Sequence, residues 1–194
     1  MEELIRRIQE LAEGSEQARM YGPPHFSPAP DPDAVAAKFA RPDAREFYTR
    51  FDPQDPALPS FWGDMFLFSF ASLDKQQAGY AFDGHSGEAV EDWPEGMLVI
   101  GECSADPIML DPAEEGEILY AIHGQGEWDP LPIAANIEGL LKLCVAWMDM
   151  EKRRGDRLYD ETEDLHDESW ALFERLAAEQ GIDRQYIDNM LELG

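Results

Sequence analysis

The chain brings four histidines, two cysteines and 41 carboxylates to any chemistry it performs. The histidines, His25, His85, His123 and His166, are widely dispersed. His85 in DGHSGE and His123 in HGQGEWD each lie near carboxylates, and an imidazole with two carboxylates can hold a divalent cation. Both, however, sit in Gly-rich, turn-like segments where a surface His and Asp are ordinary, so neither a metal nor a cofactor is expected. Cys103 and Cys144 have no CxxC or metal-ligand spacing and read as two buried thiols in a reducing compartment. A hydrolytic carboxylate pair needs one acid buried to raise its pKa. Asp92, Glu95, Asp106 and Asp111 merely flank predicted strands and read as exposed loop acids. No GxSxG, P-loop, GxGxxG or HExxH pattern is present. The sequence therefore predicts no catalytic residue and no enzyme.

Charge points elsewhere. The net charge is −26, and no Lys or Arg occurs between Lys75 and Lys142. Such a stretch repels phosphate backbones, which argues against nucleic acid as a partner and for a basic protein. Trp93 in EDWPEG and Trp128 in GEWDP each sit in an acidic loop. An aromatic in that setting either folds back on the core or anchors a protein interface, where Trp is enriched. The candidate partner-binding residues are Glu91, Asp92, Trp93, Glu95, Asp106, Glu114, Glu115, Glu127 and Trp128. They combine uncompensated negative charge with two aromatic anchors on loops at strand ends.

The elements that must hold these loops can be read from periodicity. Leu4, Ile8 and Leu11 predict a helix over residues 2–13. YGPPHFSPAPDP is an extended linker, Asp31 or Asp33 caps a short helix through Ala40, and a further helix starts near Pro42. FDPQDPALPS, with three prolines, reads as loop. Strands are predicted at 61–70, 97–101, 107–111 and 117–124, the last two as a hairpin. Residues 133–150 predict a helix, with the helices at 2–13 and 133–150 packed on the sheet. Segregated helices and strands mean α+β: a single, largely antiparallel sheet packed against helices, with a short helical C-terminal appendage. The division expected is a domain over 1–150, then a charged connector and C-terminal helices over 151–194. No apolar run approaches membrane-spanning length and the N-terminus lacks a signal-peptide pattern, so a cytoplasmic location without membrane partners is expected.

The order FYTRFDP, FLFSF, LDKQQAGY, EDWPEG, MLVIGECSADPIMLD and EILYAIHGQGEW, followed by an amphipathic helix, resembles the SUKH superfamily. That superfamily includes the Smi/Knr cell-wall regulators and many bacterial proteins. Leu98, Val99, Ile100, Gly101, Asp106, Pro107, Ile108 and Asp111 match its strand-pair pattern. Where many members carry Asn-Gly after the early helix, this chain has DPQDPALPS. The resemblance implies an α+β fold without a shared enzymatic activity, and a bacterial immunity protein that neutralises a toxin, often a nuclease. A cytoplasmic regulatory or scaffold protein of the Smi/Knr type is the alternative, and an uncharacterised hydrolase the third reading.

Overall fold

Ile5, Ile8 and Leu11 recur at helical spacing and bury one face of α1 (Glu2–Ala12). In the computed structural model, which describes residues 1–113, 115–125 and 128–193, three further helices precede the sheet. The first, α2 (Glu16–Tyr21), is capped by Ser15, whose side chain accepts the Ala18 N–H at 3.1 Å. Asp31 caps α3 (Pro32–Lys38) in the same way at 3.0 Å, and Pro42 opens α4 (Pro42–Phe51). A two-residue ribbon, β1 (Phe26–Ser27) against β2 (Asp52–Pro53), ties the proline-rich linker to the end of α4.

The main sheet is a six-stranded antiparallel meander in sequence order: β3 (Ala57–Ser60), β4 (Gly63–Leu67), β5 (Leu98–Cys103), β6 (Asp106–Leu110), β7 (Ile118–Tyr120) and β8 (Leu131–Ala134). The α+β class and the single antiparallel sheet expected from the sequence are what the chain forms. Two strands, β3 and β8, were not expected, and the predicted strand at 61–70 is confined to Gly63–Leu67. Residues 57–60, read as loop because of their prolines, are β3, and residues 61–62 are the turn into β4 rather than strand. Residues 131–134 form β8, so the following helix, α5 (Ile137–Arg154), starts later than residue 133 and runs past residue 150. Both missed strands lie at sheet edges, where a proline costs no ladder bond. The predicted strand at 117–124 ends at Tyr120.

Asn136 caps α5 by accepting the Gly139 N–H at 2.9 Å. The helix is buried around most of its circumference, between β3 and β8 on one side and α1 and α6 (Asp167–Glu179) on the other. The first helix thus packs chiefly on α5. The last helix, α7 (Arg184–Glu192), lies on β8, and Asn189 Nδ2 donates to the Pro132 carbonyl at 2.7 Å. Phe173, Leu176, Ile187 and Met190 join the same buried cluster as Ile8 and Ile108, so the C-terminal helices share the core of the sheet domain.

A bulge between Val99 and Gly101 shifts the β5–β6 register. On the other side of β5, Gly101 lets β4 approach closely: a Cβ there would stand 2.5 Å from the Phe66 carbonyl oxygen. Among the described residues, no helix is long and apolar enough to cross a membrane.

Candidate functional site

Residues directly opposite each other on neighbouring strands share a face of the sheet. Met65 and Cys103 are opposite, and Met65 faces Leu140, Cys144 and Trp147 of α5. Phe66, Glu102 and Pro107 are opposite one another in a row on the other face. The segment between β4 and β5 lies over that face.

Two side chains fix this segment. Gln77, buried, continues the ladder where β4 stops: its Oε1 accepts the Val99 N–H at 2.9 Å and its Nε2 donates to the carbonyls of Val99 at 2.9 Å and Leu73 at 2.8 Å. One side-chain amide thereby imitates a residue of the missing strand. Tyr80, also buried, places its hydroxyl 2.9 Å from Glu102 Oε2 and 3.0 Å from the Ala105 carbonyl, which share its proton. Burial and the Glu102 carboxylate push this phenol far up, so at neutral pH it is a fixed donor.

Around Tyr80 the chain gathers the two tryptophans singled out in the sequence. Trp93 and Trp128 meet edge to face with ring centroids 5.1 Å apart, and each lies just over 6 Å from the Tyr80 ring, at 6.2 and 6.3 Å. His123, exposed, completes the cluster 5.6 Å from Trp128. Both tryptophans are half-buried and pack on the core, and Trp93 Nε1 donates to the Met97 carbonyl at 3.2 Å. Each ring therefore caps the sheet with one side and shows the other to solvent.

The acids divide. Glu91, Asp92 and Glu95 flank Trp93, are exposed, and among the described residues none forms an ion pair. Glu115 is exposed in the β6–β7 turn, which approaches the Trp93 loop where Gly96 meets Pro112. Asp106 is committed internally: its carboxylate accepts the Tyr120 hydroxyl at 2.9 Å and the His123 N–H at 2.6 Å, setting the turn that carries the aromatic cluster. Glu114 and Glu127 lie outside the described residues. Sequence reasoning missed Gln77, Tyr80 and Glu102. Nothing in LDKQQAGYAF announces that an amide will stand in for a strand.

Among the described residues, no three His, Cys, Asp or Glu side chains gather closely enough to hold a metal ion. Glu102 and Asp106 are each hydrogen-bonded to a phenol rather than to a nucleophile or an imidazole ring nitrogen. What the arrangement offers is a rigid aromatic platform rimmed by free carboxylates. Compared with known proteins, the chain matches no protein-family model, no curated protein and no solved structure.

Proposed function

We propose that this chain is a non-catalytic, cytoplasmic protein-binding domain of the SUKH type, an immunity protein that neutralises a basic toxin domain such as a nuclease. The observation that carries the reading is the Trp93–Trp128 pair, half-buried on a fixed platform and bordered by Glu91, Asp92 and Glu95, which no basic side chain of the described residues neutralises. A nuclease binds a polyanion and presents a basic surface to do so, and an acidic, aromatic surface occludes it by charge complementarity and fast association. Rigid Trp side chains supply the apolar anchor that such an interface needs at its centre.

The test is the association of this chain with the toxin domain encoded beside its gene. Reversing Asp92 and Glu95 to Lys slows association, most at low salt, because screening removes long-range steering. Trp128→Ala raises the dissociation rate instead, with a loss of about 2 kcal/mol or more in affinity. An association rate indifferent to both salt and the double reversal would overturn the reading.

A further inference from the structure

Among the described helices, α2 is one that buries no residue. Six residues are too few to sustain a helix in water without tertiary support. It is held by the Ser15 cap, by the Gly22 N–H on the Ala18 carbonyl at 3.1 Å, and by Gln17 Nε2 donating to Asp64 Oδ1 at 2.9 Å. Its end presents Met20 and Tyr21, which are 62% and 51% exposed and stand among the few large apolar side chains so placed. The Tyr21 ring stands edge-on to Phe66 at 5.3 Å, and Phe66 is half-exposed in the sheet row that continues through Glu102. The apolar patch thus comprises Met20, Tyr21 and Phe66, and along the sheet row it ends at the Glu102 carboxylate.

Beside α2, three carboxylates lie near one another: Glu16 of α2, Asp64 of β4, which also accepts the Gln17 amide, and Glu151 near the end of α5. None of the three pairs with a Lys or Arg among the described residues. Burial first, and Asp64 and Glu16 second, push the Glu151 carboxyl up, while Arg19 of α2 turns its guanidinium to the Ser15 and Gly14 carbonyls and not to these acids. The Gln17 side-chain oxygen, bonded to this same cluster through its amide nitrogen, is buried without a donor.

We propose that the exposed face of α2 docks an amphipathic basic segment of a protein partner, its apolar side chains on Met20, Tyr21 and Phe66 and a Lys or Arg among Glu16, Asp64 and Glu151. A second copy of this chain is a poor occupant, since a net charge of −26 sets like surfaces against each other. The inference rests on the reading of the chain as a binder of basic protein and adds a second contact surface to it.

A short amphipathic peptide of Leu and Arg, titrated into the isotope-labelled full chain, tests the assignment. The expected result is resonance shifts centred on residues 16–22, Phe66 and Glu151. The pair Met20→Ser and Tyr21→Ser, both exposed, weakens binding at least about tenfold while resonances outside α2 and Phe66 keep their positions. The pair Glu16→Gln and Glu151→Gln weakens it and flattens its salt dependence. Reversal of Asp92 and Glu95 leaves it within about twofold, because that loop is a separate site. Equal binding of a Ser/Arg peptide would reduce the surface to bulk charge and overturn the proposal. So would shifts centred on Trp93 and Trp128, or a dimer that the Met20 and Tyr21 replacements dissolve. Toxin association insensitive to Asp92 and Glu95 sinks the immunity reading without touching the peptide result, so the two failures are distinguishable.

Discussion

Arg41 Nη1 donates to the Asp111 carbonyl at 2.8 Å, so the residue that precedes α4 holds the turn leaving β6. The same guanidinium, 2% exposed, grips Asp43 with two bonds of 3.0 and 2.7 Å, and Asp43 Oδ2 in turn accepts the Ile137 N–H at 3.1 Å, at the start of α5. One buried ion pair thus locks together α4, the β6–β7 turn and α5.

Arg41→Ala strands a half-buried carboxylate and should cost about 3–5 kcal/mol in urea unfolding. Arg41→Lys should recover little of it, because an ammonium cannot reproduce the fork to Asp43 and the Asp111 carbonyl together. Burial raises the Asp43 carboxyl, but the Arg41 bonds, the Ile137 N–H and the Arg41 charge outweigh it and hold it below its usual value. A depressed folded pKa stabilises above the unfolded value near about 3.9 and ceases to do so as pH falls through the folded one. The stability gap between wild type and Asp43→Asn, measured by unfolding across acid pH, should therefore close in that window.

Gln77→Ala removes both partners of Val99 at the end of β4 and should cost about 2–3 kcal/mol. Gln77→Glu is the sharper experiment. A carboxylate still accepts the Val99 N–H but opposes the carbonyls of Val99 and Leu73, so at neutral pH it should be worse than Ala. Its folded pKa is then raised, and stability should return as pH falls through that value. Thermal melts of the two variants at neutral and acid pH decide it.

Glu151→Gln should stabilise the chain. The carboxyl is raised by burial first and by Asp64 and Glu16 second, so its charge is a penalty above the folded pKa that lifts as pH falls through it. A gain on the order of 0.5–1 kcal/mol at neutral pH, fading in acid, is expected from calorimetry.

Cys103 and Cys144 should be silent toward thiol reagents until the chain unfolds. Both are buried, and burial pushes Cys144 up to about 12, which leaves almost no thiolate at neutral pH. Labelling in native buffer should be slow, and both thiols should appear together in denaturant. Fast labelling of Cys144 in native buffer would show that α5 opens locally.

The β5–β6–β7 meander was legible because LVIG, PIML and EILY are short apolar runs separated by turn residues, and α5 because Ile137, Leu140, Leu141 and Cys144 keep helical spacing. ALPS and LPIA were illegible as strands because proline signals a break unless the strand is known to lie at an edge, and edge position is a property of the whole sheet. The acidic tryptophan loops could be named from sequence. That Trp93 and Trp128 touch, and that Tyr80 and Gln77 hold the loop beneath them, depends on how a long connection folds back over the sheet, which no local pattern encodes. Asp106 was named as a surface contact, and its place between Tyr120 and His123 is set by the β5–β6 turn.

The prolines that hid β3 and β8 also decide how the molecule behaves when crowded. A sheet grows into fibrils by lending an outer strand to the next chain, and each end of this one carries a residue with no N–H to lend, Pro59 on one side and Pro132 on the other. At the second end, the Pro132 carbonyl is already occupied by Asn189. Self-templated growth should therefore stall at either border, and the chain should resist seeding even where its negative charge is neutralised by salt or by a bound cationic partner.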